Sequence, residues 1–128
     1  MDYQDLIAKA MEAREKAHAP YSDFAVGAAL LARSGRVYTG CNVENASYGL
    51  SICAERTAVF KAVSEGERDF EAIAVVTENG VPPCGACRQV LMEFGEDIQV
   101  IVADEAGGYR VFSLQELLPE AFTPEHLE

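Results

Sequence analysis

Cys53, Cys84 and Cys87 are three thiols, and Glu55 is a carboxylic acid two residues beyond the first of them. Three thiolates can fill three corners of a tetrahedral zinc and leave the fourth open. An open corner is what separates a catalytic zinc from a structural one. An acid beside that corner can move protons to and from whatever sits there. The spacing favours convergence: in Pro83-Cys84-Gly85-Ala86-Cys87 the two cysteines are three residues apart and share one face of a helical turn. Cys53 opens a second helical stretch, where exposed N–H groups and the helix dipole favour thiolate. If the two helix starts abut, the three sulfurs meet.

Four readings of this set compete. The first is a catalytic zinc with Glu55 as acid and base. The second is a structural four-cysteine zinc site in a binding module, completed by Cys41. The third is a thiol–disulfide pair at Cys84 and Cys87, and the fourth is cysteines that merely pack. The second needs Cys41 to turn against its strand face, and the third leaves Cys53 and Glu55 without a purpose. Neither His18 nor His126 falls at ligand spacing, so the expected ligand set is all thiolate. Three thiolates around a divalent ion leave a surplus negative charge, which weakens the ion's power to acidify water. A guanidinium donating to a ligating sulfur restores the balance. Arg56, next to Glu55, is the first candidate and Arg88, next to Cys87, the second.

The elements that must carry these residues follow from periodicity. Apolar residues from Tyr3 to Ala17 form a helical stripe that Asp2 can cap, ended by Pro20. Ala25–Ala32 reads as a strand buried on both faces, and after a turn at Ser34-Gly35 the chain returns as Val37–Glu44, a hairpin. In that second strand Asn42 and Glu44 project to one side and Cys41 and Val43 to the other. Asn42 and Glu44 can therefore share a polar ligand, while Cys41 reads as a small buried hydrophobe. A helix is expected over residues 52–64, capped by Ser51 and stopped near Gly66. It is apolar nearly all round, which hints at a partner subunit on its second side. A strand at 72–76, a helix at 84–94, strands at 98–103 and 109–113, and a short helix at 114–118 complete the chain. The strand–helix–strand steps imply parallel neighbours with right-handed crossovers. The expected fold is therefore a three-layer α-β-α structure on a mixed five-stranded sheet, with the first and last strand pairs antiparallel.

Length and charge set the outer bounds. A chain of 128 residues implies a single domain, 1–128. Against 10 Lys and Arg stand 21 Asp and Glu, a net charge of -11 that repels phosphate backbones and argues against nucleic acid as substrate or partner. No apolar run is long enough for a membrane, and the acidic, amphipathic N-terminus is unlike a secretory signal. Four cysteines, two of them in a C-x-x-C, without an export signal point to a reducing, cytoplasmic setting.

The pairing of Cys53-Ala54-Glu55 with Pro83-Cys84-x-x-Cys87 matches the signature of the zinc nucleobase deaminases. Further segments make the match more specific. They include Pro20-Tyr21-Ser22-Asp23-Phe24-Ala25-Val26-Gly27, Gly40-Cys41-Asn42-Val43-Glu44-Asn45-Ala46-Ser47-Tyr48-Gly49, Arg88-Gln89 and Leu117-Leu118-Pro119-Glu120-Ala121-Phe122. From about Ala19 to Leu127 the chain resembles the small, homotetrameric cytidine deaminases. That resemblance implies hydrolysis of cytidine and deoxycytidine to uridine and deoxyuridine with release of ammonia, in pyrimidine salvage. It implies one zinc per chain on Cys53, Cys84 and Cys87. Glu55 then takes a proton from the attacking water and delivers it to N3 and to the leaving amine. It also implies that Asn42 and Glu44 hold the ribose hydroxyls and that Phe24 stacks on the pyrimidine. The stretch from Ala46 through Tyr48 lines the pocket, the Ala54 backbone helps hold the base, and Phe122 reaches a neighbouring subunit's site. The nearest rival within the enzyme class is a related deaminase of a nucleoside antibiotic.

Overall fold

The structure is a computed structural model and describes residues 1–127. The expected domain, 1–128, runs one residue further, and Glu128 lies outside the described residues. Helix α1 (Tyr3–Arg14) is capped by the Asp2 carboxylate, which accepts from the Gln4 N–H at 3.2 Å. It ends three residues before the expected Ala17. The Lys16 and Ala17 N–H groups close tight turns onto Ala13 and Arg14, and His18 then leaves the helix to pair with the chain at Asn42–Glu44. Strand β1 (Gly27–Ala32) starts two residues later than expected. The Ala25 carbonyl is taken by Arg14, and the Val26 N–H is taken by the Asn42 side chain. Strand β2 (Val37–Cys41) is shorter than the expected 37–44, but Val43 continues in extended form, bridged to His18 on one side and Ile52 on the other.

Helix α2 (Ala54–Ser64), strand β3 (Phe70–Val76), helix α3 (Gly85–Met92), strands β4 (Gln99–Ala103) and β5 (Tyr109–Ser113), and helix α4 (Leu114–Leu117) complete the order. Two corrections concern helix starts. Cys53, not Ser51, occupies the cap position of α2, and the Ser51 hydroxyl accepts from the Asn45 N–H instead. Cys84 likewise caps α3 rather than opening it.

The sheet order is β2-β1-β3-β4-β5. β1/β2 and β4/β5 are antiparallel as expected, and β3/β4 are parallel. The other crossover differs from expectation. β2 and β3 are not neighbours, because β1 lies between them and runs antiparallel to both. A hairpin partner with six buried residues has no other place to go: β1 is apolar on both faces and must sit inside the sheet.

Alternation along the strands then builds two cores. Leu6, Ile7 and Ala10 of α1 pack on Ala29, Leu31, Ala74 and Ile101. On the opposite face Ala58, Val59 and Ala62 of α2 and Leu91 of α3 pack on Ala28, Leu30, Ile73, Val75 and Val100. Both cysteine-bearing helices thus lie on one face, and their N-termini are free to meet. Of the expected second apolar side of α2, one large residue stands uncovered: Phe60 is 49 % exposed, beside the exposed Lys61.

Two glycines permit the close layers. A Cβ on Gly27 would lie 2.0 Å from the Ala10 carbonyl oxygen of α1, and one on Gly40 would lie 2.6 Å from the Ala54 carbonyl oxygen of α2. Gly27→Ala is expected to cost roughly 3 kcal/mol of folding stability, because backbone rather than a yielding side chain blocks the methyl. Gly49→Ala, with open space around it, is expected to stay within about 0.5 kcal/mol. Equilibrium denaturant unfolding of the two variants checks both values.

Candidate active site

Capping positions bring the sulfurs together. Cys53 and Cys84 have extended backbones just before their helices, and Cys87 sits one turn into α3. Cys84 Sγ lies 3.4 Å from Cys87 Sγ and 3.9 Å from Cys53 Sγ, and all three sulfurs fall within 4.8 Å of one another. A tetrahedron with zinc–sulfur bonds of about 2.3 Å has edges of roughly 3.8 Å, so the spacing and the donor chemistry both fit a three-thiolate zinc. Cys41 stays apart, its thiol donating to the Lys16 carbonyl at 3.5 Å. That removes the fourth ligand that a structural four-cysteine site needs.

The protons in this cluster are unevenly held. The Cys53 thiol is brought down to about 5, first by the neighbouring Cys87 and then by Arg56. The Cys87 thiol is pushed far up, first by the neighbouring Cys53 sulfur and then by burial. Arg56 Nη2 donates to Cys53 Sγ at 3.3 Å. The Arg88 guanidinium faces elsewhere, donating through Nε to the Pro83 carbonyl and through Nη1 to the Leu117 carbonyl, both at 2.7 Å. Of the two candidate arginines, only Arg56 therefore touches a sulfur of the cluster. Glu55 is 4 % exposed, and its carboxyl is raised to about 7, chiefly by burial and further by the nearby Cys53 charge.

These groups border a cavity of about 550 Å³, within the usual range for small-molecule sites. Cys53, Ala54, Glu55, Arg56 and Cys84 line one part of it, and Phe24, Asn42, Glu44 and Tyr48 line another. The expected alternation of the 42–44 stretch holds: Asn42 and Glu44 face the cavity, and Cys41 and Val43 do not. Ala46 is exposed and outside the lining. Phe122 is 58 % exposed, stacked on His126 with ring centroids 5.5 Å apart, and does not line this cavity either.

A family profile described as "Cytidine and deoxycytidylate deaminase zinc-binding region" matches residues 1–103. The chain belongs to this deaminase family. It is 56 % identical over 130 residues to a cytidine deaminase of Halalkalibacterium halodurans, covering 99 % of this chain and 98 % of that one. A cytidine deaminase of Sporosarcina psychrophila is 52 % identical, with 99 % and 96 % covered. Among solved structures, the crystal structure of cytidine deaminase from Burkholderia pseudomallei superposes with a TM-score of 0.91 at 55 % identity, covering 95 % of this chain and all of that one.

Within this deaminase-family chain, the structure gives Glu44 a part that sequence reasoning missed. Its Oε1 accepts from the Tyr21 and Ser22 N–H groups at 2.9 and 3.1 Å, and its Oε2 accepts from the Ser22 hydroxyl. The Ser22 oxygen in turn accepts from the Phe24 N–H at 3.1 Å. Asp23 between them is held at φ 57°, a conformation that costs a non-glycine residue energy unless its surroundings enforce it. These hydrogen bonds hold the Glu44 carboxyl below its usual range, the Ser22 hydroxyl first among them. Asn42 acts on the same turn, donating to the Phe24 carbonyl at 2.8 Å and accepting from the Val26 N–H at 2.9 Å. The turn that presents Phe24 is thus folded around the two residues expected to hold a sugar. Ser22 appeared in the sequence only within the Pro20–Gly27 segment of the resemblance, with no role of its own, and no local periodicity could have given it one.

A thiolate site must lose the Cys87 proton when a metal enters. Zinc uptake by metal-free protein at pH 7 is expected to release about one proton or more per ion, and its affinity is expected to fall as pH drops. Calorimetric titration in buffers of different ionisation enthalpy measures both.

Proposed function

We propose that the chain is a zinc-dependent cytidine deaminase. It converts cytidine and deoxycytidine to the corresponding uridines and releases ammonia. The observation that carries this reading is a buried acid with a near-neutral pKa beside three converging sulfurs, across one cavity from an amide and a carboxylate suited to a sugar. The full-length likeness to proteins named cytidine deaminase supports it.

Cys53, Cys84 and Cys87 would hold one zinc per chain, which supplies the Lewis acidity that makes water nucleophilic near neutral pH. Glu55 accepts one proton of the attacking water and passes it to ring N3, then takes the remaining proton from the hydroxyl added at C4 and gives it to the departing amine, which leaves as ammonia. Addition of oxygen at C4 and cleavage of the C4–N bond complete the exchange. A carboxyl with a pKa of about 7 suits a group that must both take and give a proton at neutral pH. Arg56 offsets the surplus thiolate charge through its bond to Cys53. Phe24 stacks on the pyrimidine, and Tyr48 closes one side of its pocket. The Ala54 N–H, at the first position of α2, is one of the donors that a helix leaves free for a ligand such as the base carbonyl. Asn42 and Glu44 retain hydrogen-bonding capacity for ribose hydroxyls after serving the Phe24 turn.

The 128 residues act as one domain, in a cytoplasmic homotetramer that covers Phe60 and brings Phe122 to a neighbouring site. No helix is long and apolar enough to cross a membrane among the described residues. The charge of -11 favours a free nucleoside over a polynucleotide.

Glu55→Gln is expected to retain zinc and lose roughly 10²–10⁴-fold in turnover, read as ammonia release beside metal content. The same substitution has a pH signature in the metal-free protein. The folded state raises the Glu55 pKa from about 4.5 to about 7, so wild type loses stability as pH rises through that window, and a neutral amide does not. Glu55→Gln is therefore expected to melt higher than wild type at pH 8, with the difference shrinking toward pH 5.

Glu44 gives a further test. Contact with the ribose alone predicts that Glu44→Ala harms nucleosides far more than free cytosine. Its bonds to the Phe24 turn change the expectation: Glu44→Ala weakens inhibition by the free base as well, while Glu44→Gln, which keeps an acceptor for the turn, spares the base. Inhibition constants for cytosine in the two variants decide between these outcomes.

A further inference from the structure

Thr77 falls between the expected strand and the expected loop, and nothing in the sequence marks it. In the structure it is 2 % exposed and stands just after β3, its N–H donating to the Ala103 carbonyl at 3.1 Å. Its hydroxyl oxygen accepts from the Gly80 and the Val81 N–H groups, both at 2.9 Å. A hydroxyl has two lone pairs, and both are engaged. One buried oxygen thus gathers two successive amides of the loop that leads to Cys84.

Beyond Val81 the chain reads Pro82-Pro83-Cys84. Two prolines fix φ and lack N–H groups, so this stretch is a stiff rod that takes no support from backbone donors of its own. Its far end is held at the Pro83 carbonyl by Arg88 Nε at 2.7 Å, and its near end by Thr77. Cys84 stands at the tip. Of the three sulfur-bearing residues it is the exposed one, and it precedes its helix, whereas Cys87 is built into α3 and buried. The place of the Cys84 sulfur therefore depends on the loop more than that of Cys87.

We propose that Thr77 is a positioning residue for Cys84: its hydroxyl oxygen anchors the diproline rod that sets the sulfur's place, and so governs how long the ion is retained. This rests on the reading of Cys84 as a zinc ligand. The test uses the zinc-loaded protein and monitors zinc transfer to an excess of a chromogenic chelator, with metal content and melting temperature measured on the same samples. Thr77→Val removes the oxygen at nearly constant volume, Thr77→Ser keeps it, and Pro82→Ala softens the rod while leaving Thr77 intact. Ile101→Val, in the core on the other face of the sheet, controls for loss of stability alone.

Thr77→Val is expected to release zinc roughly 10–100-fold faster than wild type, the usual scale for groups that support a ligand. Thr77→Ser is expected to stay near wild type, Pro82→Ala to speed release, and Ile101→Val to leave the rate unchanged. Release at the wild-type rate from Thr77→Val overturns the proposal, as does equal acceleration in Thr77→Val and Thr77→Ser, which assigns the effect to packing. If Thr77→Val does not fold, Pro82→Ala decides: unchanged release there means that the rod does not set the sulfur's place. Wild-type protein that holds no zinc defeats the site reading itself, whereas stable wild-type zinc with unaffected variants defeats only the part given to Thr77.

Discussion

Three sulfur atoms within 4.8 Å of one another are the constraint from which the rest of the molecule can be read. Thiolates repel, and here the three come from two segments that stand 31 residues apart in the chain. The fold answers with two helix N-termini. Each offers unpaired N–H groups and the positive end of a dipole, and each carries its cysteine at the capping position, beside those groups. α2 and α3 must then lie on the same face of the sheet. That follows from β1, β3 and β4 presenting Leu30, Ile73, Val75 and Val100 to them, while α1 takes the other face.

The acid beside the cluster is part of the same electrostatic unit. Glu55 comes two residues after Cys53, so its surroundings are those of the sulfurs: dry, negatively charged on the Cys53 side, with the Arg56 cation bonded to that sulfur. Burial and the thiolate hold its proton near neutral pH. Arg56 bonds one sulfur without pairing with the acid directly, which leaves the acid free to change its charge. A carboxylate matched by its own arginine would have lost that freedom.

Much of this was legible in the chain. The three cysteines and Glu55 follow from spacing at two helix starts, and the shared side of Asn42 and Glu44 follows from strand alternation, whereas it is the structure that separates Arg56 from Arg88. The misses have local causes. β2 and the first helix are both shorter than the periodicity implies, because His18 leaves α1 to pair with Asn42 and Glu44, an interaction between segments far apart in sequence. The placement of β1 between β2 and β3 could not be read from order alone, since a crossover does not say which strand it passes. The parts played by Ser22 and Thr77 were not legible for a related reason. Each acts through a single oxygen on the backbone of a turn, and hydroxyls of that kind have no periodic signature.

Gly40 shows how the two ends of the cavity are related. With no side chain, it lets β2 rest directly on the backbone of α2 at Ala54 and Ala58. The strand continues to Asn42 and Glu44, and the helix begins at Cys53 and Glu55. The separation between the Asn42–Glu44 end of the cavity and its Cys53–Glu55 end is therefore fixed by main chain touching main chain, where no rotamer can give way. Such an enclosure measures its guest as a fixed caliper does, sorting molecules by length before any question of chemical preference arises.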